Sequence, residues 1–365
     1  MNKYHLLVGF SLIFIIVFFF NFLALASDIT FGGQLNVSLT GFYDNQSGFG
    51  YLPQANLDLE LFLPPWDNNE IRVAGSLYTD IVNGQLDFFW KRLYWKHRFD
   101  DFHLTIGRQP ISWSFGSLLN PVDYSLGAVA LERDYSTKFQ NAIEIYYPVN
   151  WHTGLSLVAS SPDSLENTKI GLRGRTLIND FDITAQFVQE QVIAVKPGQQ
   201  RFGITAKGDI GKFGVYGALG YYRDEKKSFS LLVGADYSYF FPSANRLYLQ
   251  AEYLNIPPEV LSQITGSLMI RQPESQDKNV HLLTGNISYQ IDEFSSIGLT
   301  SLYNFNNGSA LFMSNYTNHL STITTLEIQV GIVMGEKNEV DASSVVSWFG
   351  ELSQVFVELG ISYAF

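Results

Sequence analysis

The sequence predicts an all-β fold: a transmembrane antiparallel β-barrel of about 18 strands, with about 16 also compatible, behind a cleavable signal peptide. Three observations predict it. Apolar and polar residues alternate with period two along most of the chain, short connections alternate with longer ones, and an apolar leader opens the sequence. Composition agrees. The 365 residues are 46% hydrophobic and 15% aromatic, with 29 Phe and 20 Tyr, yet only 16% are charged. Soluble domains carry roughly 25% charged residues. The aromatic content excludes a disordered chain. Past the leader there is no apolar run of the ~18 residues that a membrane helix needs. With 35 acids against 23 bases and a net charge of -12, the chain is a poor nucleic-acid binder. Cysteine is absent, which removes disulfides, Cys-ligated zinc and thiol catalysis.

Residues 1–26 read as the signal peptide: Lys3 is the positive start, residues 6–20 are the apolar stretch, and Ala24, Leu25 and Ala26 fit a cleavage site. Residues 27–365 read as the barrel. Strands are expected near 29–44, 52–62, 70–82, 85–99, 101–109 and 139–148, then 150–160, 167–178, 180–195, 200–209, 212–223 and 228–240, and finally 245–255, 280–292, 294–305, 309–318, 321–334 and 353–365. In the last of these, Val355, Val357, Leu359, Ile361, Tyr363 and Phe365 share one parity, against Glu358, Gly360, Ser362 and Ala364. Leu57, Leu59 and Leu61 alternate with Asn56, Asp58 and Glu60, and Phe181, Ile183, Ala185 and Phe187 alternate with Asp182, Thr184 and Gln186. In a strand the two sets face opposite ways.

The connections sort by parity. Those after even strands are tight, at 99–101, 148–150, 179–180, 209–212, 242–245, 291–294 and 318–320, with 64–69 slightly longer. Those after odd strands vary, and 110–138, 256–279 and 335–354 are long. A barrel in an outer membrane has short periplasmic turns and longer external loops, and it must close because lipid satisfies no open edge. Phe99, Phe102, Tyr147, Trp151, Phe181, Phe213, Phe240, Phe241, Tyr248 and Phe294 gather at the short turns, where an interfacial aromatic girdle belongs.

With the apolar parity toward lipid, the polar parity faces the lumen. Asp58, Glu60, Glu70 and Asp80 then lie along one wall, Arg92, Lys96 and Arg98 follow on the next strand, and Lys169, Arg173, Arg175, Arg201 and Lys207 come later. Two readings stay open: separated acidic and basic walls with a field between them, or charges paired with one another. Asp182, Glu190, Glu252 and Glu327 fall on the same parity. A barrel of about 18 strands leaves an aqueous channel.

The 110–138 connection is the constriction candidate. Its apolar middle suits an infolded position better than open water, and its neighbourhood supplies Arg108, Gln109, Trp113, Asp123, Arg133 and Lys138. Alternation puts Gln109 toward the lumen and Arg108 on the lipid parity. Gly107-Arg108-Gln109, then Trp113, then Asn120-Pro121-Val122-Asp123 resembles a motif of bacterial outer-membrane porin-like barrels, similar to the alginate-export type. The terminal Phe365 resembles the assembly signal of such barrels, which implies recognition by the barrel-assembly machinery. The resemblance implies passive permeation, with Arg108 and Arg133 matching positions that contact an anionic chain. The net acidity argues for small hydrophilic solutes in general over an anionic oligosaccharide.

No catalytic, cofactor or metal pattern is present. The six His show no HExxH spacing, and His319 with Ser321 lacks a third orienting group. The expectation is a non-enzymatic channel in the outer membrane of a diderm bacterium, bounded by lipid. A solute-specific channel and a structural or adhesive barrel are the alternatives. No stretch identifies a subunit interface, so homo-oligomerisation stays open.

Overall fold

The computed structural model describes residues 29–44, 48–80, 85–113, 115–125, 138–161, 167–191, 198–223, 227–242, 245–258, 260–261, 279–306, 308–334 and 355–365. The expected leader at 1–26 lies outside them. The first nine strands are β1 (Thr30–Asp44), β2 (Gly48–Phe62), β3 (Asn69–Asp80), β4 (Gln85–Arg98), β5 (His103–Pro110), β6 (Phe139–Pro148), β7 (Thr153–Ser160), β8 (Lys169–Ile178) and β9 (Phe181–Gln189). The next nine are β10 (Gln200–Ile210), β11 (Phe213–Arg223), β12 (Lys227–Phe240), β13 (Arg246–Ile256), β14 (Val280–Gln290), β15 (Ser295–Asn304), β16 (Ala310–His319), β17 (Thr324–Met334) and β18 (Val355–Ala364).

Each strand pairs antiparallel with its neighbours in sequence, and β1 pairs with β18, so the 18-stranded sheet is a closed up-and-down barrel. The seam runs from Gln34 opposite Ala364 to Tyr43 opposite Val355. Phe365 extends it: its amide and carbonyl exchange two 3.0 Å hydrogen bonds with Gly33, and its ring lies 6.3 Å from that of Phe31. The first tight turn holds Asp67 and Asn68 at positive φ (41° and 65°), the geometry a two-residue hairpin turn requires.

The outward face is apolar. Leu39, Ile143, Ile204, Ile297, Leu359 and Ile361 are exposed on it. Leu57 belongs to the same face, in register between Leu35 and Leu77, although it is itself buried. An oily belt on a closed sheet is stable only in lipid, which places the barrel in an outer membrane. Near the short turns the girdle forms in part as ring contacts, with Phe99 on Phe102 at 4.5 Å and Tyr239 on Phe241 at 4.8 Å. Tyr248 departs from that expectation. Its pairing with Ser238 and Ser288 turns it into the barrel.

β4 shifts register along its ladder with β3, where Ala74 faces Arg92 and Gly75 faces Trp90. Before it Leu86, Phe88 and Trp90 face outward, and after it Leu93 and Trp95 do. These two sets have opposite parity in the sequence, so a single extra residue keeps both in lipid.

Candidate functional site: an infolded connection and a divided lumen

The segment that follows β5 turns into the barrel. Ile111, Trp113, Leu118, Leu119, Asn120, Val122, Asp123 and Tyr124 are all buried. The motif residues fold it upon itself. The Trp113 amide and the Ser112 hydroxyl donate to the Asp123 carboxylate at 2.6 and 2.9 Å. Asn120 donates to the Trp113 carbonyl at 3.4 Å and accepts from the Val122 amide at 3.1 Å. The Trp113 and Tyr124 rings lie 5.1 Å apart. Burial pushes the Asp123 carboxyl up, and the two hydrogen bonds oppose that shift.

The β7–β13 wall then holds the folded segment. Leu118 and Leu119 donate their amides to the Glu252 carboxylate at 2.7 and 3.4 Å, and Tyr216 donates to the same carboxylate at 2.7 Å. Gln250 donates to the Gly116 carbonyl at 3.1 Å, and Arg201 to the Tyr124 carbonyl at 2.9 Å. Gln186 donates to the Val122 carbonyl, and Tyr222 to that of Pro121. The Tyr124 hydroxyl lies 2.7 Å from that of Ser160. Glycines make room for this docking. A Cβ on Gly171 would come within 2.7 Å of both the Trp113 and Tyr124 rings, and one on Gly203 within 2.7 Å of Val122.

The expected constriction residues separate into three groups. Gln109, Trp113, Asp123 and Lys138 are buried, and the Lys138 carbonyl accepts from the Ile111 amide at 2.6 Å, closing the base of the segment. Arg108 pairs with Leu93 on the outward parity. It donates to the Trp90 carbonyl and lies 4.7 Å above the Phe89 ring. Gly107 beside it has φ 125°, and a Cβ there would collide with the Leu93 carbonyl, which accounts for glycine in the motif. Arg133 lies outside the described residues.

Register places the expected lumen charges on the inward face, although for Asp80 only its backbone pairing with Gln54 and Gln85 is described. Their arrangement is paired. Asp58 meets Lys91 at 2.6 Å, Glu60 meets Arg92 at 3.3 Å and Arg72 at 3.9 Å, and Glu70 meets Arg72 and Arg98 at 2.8 Å each. Lys169 and Arg201 share Glu190 at 3.4 Å each, and Arg175 holds Asp182 at 2.5 Å. Asp58, Glu60 and Glu70 are thus neutralised on their own wall by bases of β3 and β4. Lys96 is half-buried in register with Glu70, Arg173 lies 6.0 Å from the Trp113 ring, and Lys207 lies 5.8 Å from that of Tyr216.

The inward face is not polar throughout. Toward the long-connection end Leu232, Leu254, Ile256, Val280, Leu282, Leu302, Met313 and Phe356 form one buried apolar cluster with Leu119 and Val122 of the infolded segment and with Val260 and Leu261. The periplasmic half is more open. There a 360 Å³ cavity is lined by Arg246, Tyr248, Gln290, Asp292, Ser296 and His319, among others. His319 lies 2.9 Å from the Thr325 hydroxyl, and the Ser321 hydroxyl accepts from the Thr324 amide at 3.1 Å, so both serve their turn.

A closed 18-stranded antiparallel barrel with an apolar exterior defines the class of outer-membrane β-barrels. Solved structures agree. The fold is similar to Wzi, an outer membrane protein involved in group 1 capsule assembly in Escherichia coli and described as a carbohydrate-binding β-barrel, at TM-score 0.60 and 12% identity over 94% of this chain and 85% of that one. It is similar to OccK11 of Pseudomonas aeruginosa at TM-score 0.58 and 8% identity, covering 92% and 95%. It is also similar to a BenF-like porin from Pseudomonas fluorescens Pf-5 at 0.57 and 10%, covering 93% and 98%. No family model matches the sequence, and no curated protein does. None of these likenesses singles out the alginate-export type.

Proposed function

We propose that the chain is a passive outer-membrane channel for small hydrophilic solutes, with residues 111–125 as its constriction and lumen charge tuning selectivity. One observation carries this reading. A connection is folded inside the barrel by dedicated hydrogen bonds, above all those that Glu252 accepts, while charged side chains toward the short-turn ends of β2–β4 remain part-exposed. A segment that only filled space would need no such bonding, and charges that served no water-filled path would be costly to keep inside a barrel. The purified protein in planar bilayers should give stable open-channel conductance. Electrical silence with the barrel intact would refute the proposal.

A second reading has its own observation. The buried apolar cluster in the outer half suits a barrel whose lumen is plugged and whose external surface binds a partner. That reading predicts the silence the first excludes.

A further inference from the structure

We propose that the barrel wall carries a lateral port between β4 and β6 at the level of the outer leaflet, and that solutes with an apolar body pass through it between the barrel interior and the membrane. The inference goes beyond the channel reading and does not rest on it.

The port follows from where a ladder stops. β4 has 14 residues, whereas β5 and β7 have 8 each, short of the ~9–11 that a tilted membrane strand needs. β4 pairs with β5 only from Arg98 opposite His103 up to Leu93 opposite Arg108. Among the described residues, the stretch 85–92 of β4 pairs with β3 alone. Three local features end the ladder. Lys91 is the residue that the β3 register skips, Gly107 has φ 125°, and Pro110 has no N–H to give. β5 and β6 then leave the wall together, because the amide of the buried Ile111 donates to the Lys138 carbonyl. β4 continues upward without them. Trp90 lies eight residues before Arg98, so it stands about 20 Å above the short turns at ~3.4 Å per residue and ~40° tilt, still within an apolar belt about 25 Å tall.

Side chains cross the wall at this level. Phe89 faces inward opposite Ser76, whereas Arg108 and Phe139 carry outward parity through their pairing with Leu93 and Pro110. Yet the Arg108 guanidinium lies 4.7 Å above the Phe89 ring, and the Phe139 ring lies 6.0 Å from it. An unbroken ladder keeps the two faces apart, so these contacts require an interruption. The oily belt steps down at the same place. β4 presents Leu86, Phe88, Trp90, Leu93 and Trp95 to lipid, whereas β5 has Leu104 and Ile106 below Arg108, and β6 has Ile143 and Ile145 below Asn141. A free strand edge in lipid leaves backbone groups unsatisfied, and the Arg108 Nε supplies one donor, to the Trp90 carbonyl. Inside, Ile111, Trp113 and Ala142 belong to a buried apolar cluster. Rings and aliphatic groups therefore line both sides of the interruption, which an apolar body crosses at less desolvation cost than a charged one.

The test uses single thiols in a chain that has none of its own. A thiol-linked fluorophore on Phe89→Cys, in bilayers of brominated lipid, should be quenched nearly as strongly as one on the outward Ile143→Cys. On Gln329→Cys, inward on β17 opposite Asn315, it should keep its intensity. In vesicles with a lipopolysaccharide outer leaflet, the protein should speed the arrival of the uncharged dye N-phenyl-1-naphthylamine in the membrane several-fold. A bismaleimide bridge between Phe89→Cys and Phe139→Cys should remove that gain. The same preparation is measured before and after bridging, so folding is held constant. Quenching at Phe89→Cys no greater than at Gln329→Cys would overturn the port. Dye entry that the protein does not speed, or that bridging leaves unchanged, would overturn the passage. Neither readout involves conductance, so the channel reading stands or falls separately in planar bilayers.

Discussion

The lumen has two unlike sectors. From β12 to β18 the inward face toward the long connections is apolar and sealed, whereas on β2–β4 the inward face toward the short turns is charged and part-exposed. The difference starts in the sequence. Toward the short-turn end of β2 alternation is strict, with Leu57, Leu59 and Leu61 set between Asn56, Asp58 and Glu60. At the outer strand ends from β12 to β16 it breaks into apolar dyads: Leu231-Leu232, Tyr253-Leu254, Leu282-Leu283, Leu302-Tyr303 and Leu311-Phe312. One member of each dyad faces lipid and the other faces inward. A barrel wall that is apolar on both faces must be covered from within. Here the infolded segment supplies part of that cover.

The largest expected contrast comes from placing a charge in each sector. Leu254→Asp buries an unpaired carboxylate and should cost about 3 kcal/mol or more of barrel stability, read from urea unfolding in micelles. Gln54→Glu, on the half-buried inward face of β2, should stay within about 0.5 kcal/mol in the same assay. Equal costs would erase the distinction between the sectors.

Next in size is the hook. Glu252→Ala leaves the Leu118 and Leu119 amides and the Tyr216 hydroxyl without their shared acceptor, which should cost about 2 kcal/mol of docking. Single-channel conductance should rise and become noisier as the segment leaves the wall. Gly203→Val acts on the same docking by driving a side chain into Val122, with a similar rise in conductance. Combined with Glu252→Ala it should add little, because both substitutions release one segment. Full additivity would mean that they disturb different structures.

The smallest effect is expected at a half-exposed pair. Arg72→Ala removes contacts to Glu60 and Glu70 and should cost about 1 kcal/mol or less.

The fold was legible because a strand in lipid obeys period two and because connection lengths sorted by parity. The strand count, the closure and the inward position of Gln109 follow from those patterns alone. The site was legible only where its signal is local. Trp113 and Asp123 stand close in sequence and bond directly, so the motif marked them. The hook is different: 134 residues separate Leu118 from Glu252, and nothing around Glu252 announces its role. Gln186, Tyr222 and the docking bond of Arg201 were hidden for the same reason. Two further signals are local. The dyads mark the apolar inner sector, and the change of phase between Leu86, Phe88, Trp90 and Leu93, Trp95 marks the bulge that places Lys91. Arg108 carries two signals: its pairing with Leu93 follows the lipid parity, while its guanidinium lies over Phe89, which pairs with the inward Ser76.

Because the chain has no cysteine, single cysteines can be introduced without background. The most direct test of the divided lumen compares Glu60→Cys with Leu302→Cys under a charged, membrane-impermeant thiol reagent during single-channel recording. The account predicts rapid modification and a stepwise fall in current for Glu60→Cys, with no reaction at Leu302→Cys. Reaction at Leu302→Cys as fast as at Glu60→Cys, or silence at Glu60→Cys in a conducting channel, would contradict it.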